Sequence, residues 1–281
     1  MDAFLLLLPF IVLISWTASN TMIKNGLKDA NPKSVALIVV GVGLIPITLF
    51  VLPSYMQIPN LELILFGIIT GILLGSGFLL FYSGLNVDSL SSTGVTLNIQ
   101  QVLVIIIAVY ILGESTTLIQ ATGIVLIVAG ALSVSAKIPP IRRKFLLVAG
   151  LANISWGIYY LPLSLSINLI HLGSVPLFLG RLMGLFLVLP FAFLGRKENE
   201  NKIPKKSLIL IIMAGFFDGL GNVFYSISIQ TGIFVLAGSI VAMLPATLAV
   251  AGFFLYKDRM NYSKILGIAL SVIGALIVSL G

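Results

Sequence analysis

Long apolar runs without charged residues fill nearly all of this chain and restrict what it can fold into. Of its 281 residues, 59% are hydrophobic and only 9% are charged, whereas a soluble domain carries about a quarter charged residues. An apolar run of about 17–25 residues is long enough to cross a bilayer as a helix. The sequence therefore predicts an all-α integral membrane protein with ten transmembrane helices. These spans are 3–23, 34–53, 61–85, 89–112, 117–136, 144–165, 173–195, 206–229, 233–256 and 262–280.

The first span is predicted to be a retained helix rather than a cleaved signal peptide. Only Asp2 precedes it, so it lacks a basic leading region, and it has no small-residue cleavage site. A membrane β-barrel would need alternating segments of about ten residues, and the sequence has none.

The basic residues predict the orientation. Apart from Arg181, the 16 Lys and Arg residues lie in the loops after spans 1, 5, 7 and 9 or within the first three residues of the spans that follow these loops. The loops around 53–61, 112–117, 165–173 and 229–233 contain none. Because cytoplasmic loops are enriched in Lys and Arg, we expect a multi-pass protein of the cytoplasmic membrane with both termini outside. The net charge of +7 then reflects topology, and no nucleic-acid partner is predicted.

Short matches at a nearly constant spacing indicate an internal duplication. "ISW" occurs at 14–16 and 154–156, "FYS" at 81–83 and 224–226, and "TGIVLIVAGAL" (122–132) aligns with "LGIALSVIGAL" (266–276). The predicted repeats are 1–138 and 139–281, with five helices each. Since five is odd, the second repeat must insert inverted relative to the first. Inverted repeats are typical of secondary transporters, whose substrate site lies near the midplane between the halves.

The segments "YILGESTTLIQATGIVLIVAGALSV" (110–134) and "FLYKDRMNYSKILGIALSVIGALIVS" (254–279) resemble the two halves of an EamA-type member of the drug/metabolite transporter superfamily. The Ser–Trp pairs at 15–16 and 155–156, and "VPLFLGRLMGLFL" (175–187) with its Arg181, carry the same resemblance. The resemblance implies an alternating-access transporter that exports amino acids or related metabolites.

Two charged residues, Arg181 and Asp218, lie well away from the span ends, near the same depth of spans 7 and 8. A charge at a helix centre costs about 2.5–3.5 kcal/mol on insertion scales, so such residues usually face a partner or a cavity. Two interpretations stay open. The residues form a structural ion pair, or they form a polarised site in which Arg181 binds a carboxylate and Asp218 an amine or a proton. The first-repeat counterpart of Asp218 is predicted to fall near Gly75.

Further polar and aromatic residues on the spans are candidates for a substrate cavity. Asp218, Asn222 and Tyr225 share one helix face, because they are spaced i, i+4 and i+7. Taken singly, each candidate could be a packing residue or an interhelical hydrogen bond. Together they predict a polar internal cavity. The other candidates are Trp16, Asn20, Tyr82, Asn98, Gln101, Asn153, Trp156 and Tyr160.

The glycines of spans 3 and 5 (Gly67, Gly71 and Gly75, and Gly123 and Gly130) are predicted to allow close helix packing. Glu114 and Asp258, at equivalent positions in the two repeats, are predicted to cap the helices that follow them.

The chemistry available in the sequence argues against an enzyme. The chain has no cysteine, one histidine (His171) and no H-E-x-x-H or G-x-S-x-G motif, so we expect no metal site and no cofactor. It has no Walker A motif either, which excludes ATP as the direct energy source. The expected partners are a small-molecule substrate, the bilayer and, if transport is ion-coupled, a proton on Asp218. The chain is expected to be a monomer or homodimer. A facilitative channel, a lipid scramblase and an exporter of cationic drugs remain alternatives.

Overall fold

The computed structural model describes residues 3–54, 59–85, 99–135, 143–194 and 203–280, and the regular elements in these ranges are all helices. The first repeat contains α1 (Ala3–Gly26), α2 (Pro32–Val42), α3 (Leu44–Val51), α4 (Leu61–Leu85), α5 (Ile99–Ile111) and α6 (Leu118–Ser135). The second contains α7 (Arg143–Ile170), α8 (Ser174–Leu194), α9 (Lys205–Gln230), α10 (Phe234–Val241), α11 (Leu244–Tyr256) and α12 (Tyr262–Leu280). The last turn of α5, Ile107–Ile111, is a π-helix.

The all-helical membrane fold agrees with the sequence prediction, but the count of ten spans is not confirmed. Within the described residues, seven helical stretches are long and apolar enough to cross a membrane. They are α1, α2 with α3, α4, α8, α9, α10 with α11, and α12. The helices α5 and α6 are apolar but shorter. Large apolar side chains such as Leu132, Val125 and Phe254 are more than half exposed on the outer surface, as expected for a surface in contact with lipid.

Two predicted spans, 34–53 and 233–256, are each broken into two helices near a proline. In the first, α2 ends at Val42 and α3 begins two residues later. In the second, α10 ends at Val241 and α11 begins three residues later. Each break lies four residues before a proline, Pro46 or Pro245. Because proline has no N–H, it cannot donate the i to i−4 bond to the last carbonyl of the preceding helix. The prolines therefore account for both discontinuities.

The helices α6 and α12, which are equivalent in the duplication, cross in antiparallel orientation through glycines. A Cβ on Gly130 would lie 2.5 Å from the carbonyl oxygen of Gly267, and one on Gly123 would lie 2.7 Å from that of Gly274. The sequence alignment matches Gly123 to Gly267 and Gly130 to Gly274. Exchanging the two halves therefore converts one contact into the other, which is the geometry that an inverted duplication produces.

The same exchange relates the packing of α1 on α9 to that of α7 on α4. The indole Nε1 of Trp16 donates to the backbone oxygen of Asp218 at 3.4 Å, and that of Trp156 donates to the backbone oxygen of Leu74 at 3.3 Å. Since the two tryptophans are repeat equivalents, Leu74 is the structural counterpart of Asp218. This position adjoins the predicted one, Gly75.

The helix ends that carry the basic loops meet at one end of the bundle. Ser207 donates to Asp29 at 2.7 Å, which joins the loops after spans 1 and 7. The Nζ atom of Lys24 lies 3.9 Å from the ring centroid of Tyr256, which joins the loops after spans 1 and 9. At the opposite end, the backbone N–H of Gly173 donates to Gln230 at 2.9 Å. The described basic loops therefore share one face of the protein.

Replacing Gly130 by alanine is expected to lower stability by about 1–3 kcal/mol, since the new methyl group would overlap backbone atoms of α12. Gly150→Ala is the matched control, because a Cβ there meets nothing within 4 Å. Thermal unfolding of the detergent-purified variants, followed by size-exclusion chromatography, measures the difference. Equal melting temperatures for the two variants would contradict the tight glycine crossing.

Candidate functional site

An ion pair between α8 and α9 forms the charged part of the site. Arg181 Nη1 lies 2.8 Å from Asp218 Oδ2, and the two side chains are 1% and 16% exposed. The Nδ2 atom of Asn222 donates to the backbone oxygen of Asp218 at 2.8 Å and lies 3.5 Å from its Oδ2. The two intramembrane charges therefore meet, and the carboxylate is the partner that remains partly accessible.

Arg181 also binds the broken span 34–53. Its Nε donates to the Val40 carbonyl at 3.0 Å, and its Nη2 donates to the Val39 carbonyl at 2.8 Å. These carbonyls belong to the last turn of α2, and the Val39 carbonyl also accepts from the Gly43 N–H at 3.0 Å. A cation at a helix C-terminus is also favoured by the helix dipole. A side chain at Gly43 would clash with the guanidinium, so glycine at this position leaves room for the bound Arg181.

Next to the ion pair lies a small, partly open cavity of about 60 Å³, enough room for a few water molecules. Three helices of the first repeat (α1, α4, α5) and three of the second (α7, α9, α11) contribute to its wall. These sets are equivalent under the duplication, so the cavity lies at the interface between the halves. The lining residues are Trp16, Ser19, Asn20, Leu74, Phe78, Phe81, Tyr82, Gln100, Trp156, Tyr159, Tyr160, Asp218, Asn222 and Leu244.

Most of the predicted candidates that the structure describes lie on this wall. They are Trp16, Asn20, Tyr82, Trp156, Tyr160, Asp218 and Asn222.

Four other described candidates do not line the cavity: Arg181, Tyr225, Gln101 and Asn153. Arg181 is recessed behind Asp218. Tyr225 is 1% exposed and donates to Gln101 at 3.2 Å behind the wall. Asn153 is fully buried and bonds within its own helix, to the Ala149 carbonyl. Asn98 lies outside the described residues.

Aromatic rings make up half of the cavity lining. Phe78, Phe81 and Tyr159 belong to this set although they were not among the candidates. The Phe81 and Trp156 ring centroids are 4.9 Å apart, and those of Tyr159 and Tyr160 are 4.7 Å apart. Phenylalanine carries no polar signal, so the sequence pattern alone did not distinguish these residues from the core. Their positions in the sequence were the signal available, because Phe78 and Phe81 precede Tyr82 by four residues and one residue, and Tyr159 is next to Tyr160.

Glu114 ties the loop after α5 to the beginning of α10. Its Oε1 accepts from the Phe234 N–H at 3.1 Å, and its Oε2 accepts from the Val235 N–H at 2.8 Å. The prediction that Glu114 caps the next helix is therefore wrong. Thr117 and Gln120 cap α6 reciprocally instead, each side chain accepting from the other's backbone N–H at 3.1 Å. Burial raises the pKa of the Glu114 carboxyl, and the two backbone donors partly oppose this shift.

Comparisons with known proteins agree with this architecture. The sequence matches the EamA-like transporter family twice, over residues 3–136 and 143–280. A solved structure described only as "Crystal structure of protein" has a TM-score of 0.80 and 14% sequence identity, covering 100% of this chain and 99% of that chain. At that identity the likeness concerns the fold alone. None of the curated proteins matches the sequence.

Glu114→Ala is expected to destabilise the protein by about 0.5–2 kcal/mol, the usual range for losing a helix cap. The physical reason is that two backbone N–H groups at the start of α10 lose their acceptor. Thermal unfolding in detergent measures the loss. Glu62→Gln is the control, because Glu62 is exposed at the beginning of α4. A Glu114 variant as stable as this control would contradict the capping role.

Arg181→Gln is expected to destabilise the protein more than Asp218→Asn. Loss of the guanidinium removes the cation that is paired with Asp218 and takes one donor from each of two α2 carbonyls. Breaking a buried pair from one side typically costs about 3–5 kcal/mol. In Asp218→Asn, Arg181 keeps both carbonyl acceptors, and the asparagine keeps an acceptor oxygen. Melting temperatures of the two variants test this order. A lower melting temperature for Asp218→Asn than for Arg181→Gln would contradict the prediction that Arg181 contributes more to stability.

Proposed function

Because the chain belongs to the EamA-like transporter family, we propose that it is a secondary transporter that moves a small polar metabolite through the cavity between its two repeats. The proposed cargo is an amino acid or a related compound. The observation that carries the proposal is the position of the cavity. It lies between the repeats, and its wall holds Asp218, a carboxylate near the middle of an apolar helix.

Alternating access is the mechanism we propose, in which one repeat moves against the other around a fixed central site. The cavity volume of about 60 Å³ is well below the roughly 300–1,000 Å³ of typical ligand pockets. It therefore has to widen before it admits a metabolite. The breaks at Gly43 and at Ala242–Met243 offer places where half-helices could change direction. A cavity of this small volume favours this mechanism over a continuously open channel.

The proposed direction is export from the cytoplasm. The proposed repeats are 1–138 and 139–281. The shared basic face supports an orientation with that face in the cytoplasm and both termini outside, by the positive-inside rule. Asp218 is the proposed carrier if transport is coupled to protons.

Counterflow in proteoliposomes tests the proposal. Vesicles preloaded with unlabelled amino acids, amines, sugars or nucleobases are assayed for uptake of the same labelled compound. We expect at least one class to exchange, and we expect Asp218→Asn to reduce its exchange by about tenfold or more, since the variant removes the carboxylate of the cavity wall. Asp218→Asn must first be shown to reconstitute as a folded protein.

Glu62→Gln provides the matched control, because it removes an exposed carboxylate far along α4 from the cavity. It should transport at the wild-type rate. If no compound exchanges with wild-type protein, the transport proposal fails. If Asp218→Asn exchanges as fast as the control, the cavity is not the substrate path.

A further inference from the structure

We propose that the cavity selects organic cations, meaning compounds with an ammonium group beside a flat apolar moiety, over zwitterions and anions of the same size. This inference rests on the proposed transport function and narrows its cargo to related compounds that carry a net positive charge, which excludes zwitterionic amino acids. It departs from the sequence-based hypothesis that Arg181 would receive a substrate carboxylate.

The first step is the position of the guanidinium. Arg181 is 1% exposed and is absent from the cavity wall. Its Nε and Nη2 donate to α2 carbonyls, and its Nη1 faces Asp218. The Phe78 ring, which does line the cavity, also lies against it, with 5.1 Å between the guanidinium carbon and the ring centroid. A substrate carboxylate in the cavity would therefore not reach a free face of this cation.

The second step is the group that the pair presents to the cavity. Asp218 is the more exposed partner, at 16%. Its Oδ2 forms the ion pair with Arg181 and accepts a long hydrogen bond from Asn222. In the described part of the chain, no donor is bonded to its Oδ1. A carboxylate has about four acceptor positions on its two oxygens. The ion pair thus turns its negative end, with acceptor capacity remaining, toward the cavity.

The third step is the aromatic lining. Seven of the fourteen lining residues are Trp, Tyr or Phe. The face of an aromatic ring carries negative electrostatic potential and attracts cations within about 6 Å, and cages of such rings recognise quaternary ammonium groups. Flat apolar groups also stack favourably on these rings. Among the described residues, the lining includes no lysine, arginine or histidine, so none of these side chains offsets the preference for positive charge.

A set of three compounds with the same phenyl ring and chain length isolates the charge requirement. They are phenethyltrimethylammonium, phenylalanine and 3-phenylpropionate. The quaternary compound is chosen because a neutral amine would cross the bilayer unaided. Both tryptophans of the chain, Trp16 and Trp156, line the cavity. Intrinsic fluorescence of the purified full-length protein therefore reports binding without any transport step.

We expect the quaternary cation to change the fluorescence at a concentration at least tenfold lower than the zwitterion or the anion requires. Asp218→Asn should weaken its binding about tenfold, while Glu62→Gln should leave it unchanged. Since Asp218→Asn could also disturb the fold, a second pair examines the rings. Phe81→Leu should weaken binding of the cation several-fold, and Phe81→Tyr, which keeps a ring at that position, should preserve it.

Equal or tighter binding of phenylalanine or 3-phenylpropionate would overturn the inference, as would the absence of any response to the cation. Equal binding by the two Phe81 variants would remove the aromatic contribution from it. These outcomes are separable from failure of transport. Cation binding without counterflow would contradict the proposed transport function but support the proposed selectivity. Counterflow of phenylalanine in preference to the cation would support the transport function and contradict the selectivity.

Discussion

The buried guanidinium of Arg181 is the constraint around which the central part of this protein is organised. Removing an ion from water costs several kcal/mol unless its hydrogen bonds are replaced. Here the replacements come from two directions, the last carbonyls of α2 and the Asp218 carboxylate of α9. A free helix end in the interior requires a broken helix, which Pro46 accounts for. The close approach requires Gly43, where a side chain would clash with the guanidinium. The surroundings of one buried cation therefore include a helix break and a glycine, both at the junction of α2 and α3, and a carboxylate on α9.

The duplication explains why equivalent helices of the two halves form the cavity wall. A departure from it explains why only one of two equivalent positions on that wall is charged. Equivalent helices of each half line the cavity, and Trp16 and Trp156 make equivalent backbone contacts. The position equivalent to Asp218 is Leu74, which lines the same cavity without a charge. A symmetric scaffold thus encloses an electrostatically one-sided site. Because Arg181 of the second half binds α2 of the first, the same pair also joins the two halves.

The sequence predicted features set by composition and repetition better than those set by three-dimensional packing. The apolar runs predicted the helical membrane class, and the glycines of span 5 predicted the close helix packing that α6 makes with α12. The isolated charges of Arg181 and Asp218 were informative because each is costly to bury alone. The count of ten spans was not confirmed, and the discontinuities were missed because a run such as 34–53 stays apolar across its break. The role of Glu114 was wrong because its partner, the start of α10, is 120 residues away in the chain, a distance that local capping rules do not cover.

The ion pair also suggests how occupancy of the cavity would affect the scaffold. A ligand shifts a conformational equilibrium only by binding its states unequally. A cation at Asp218 would compete with Arg181 for the carboxylate, leaving the guanidinium held mainly by Val39 and Val40. The connection of α9 to α8 and α2 would then weaken, while that of α8 to α2 would persist. The state in which α9 separates from this unit would therefore bind a cationic substrate more tightly than the closed state. In the proposed transporter, the residue that recognises the substrate is thus also part of the contact that keeps the cavity closed.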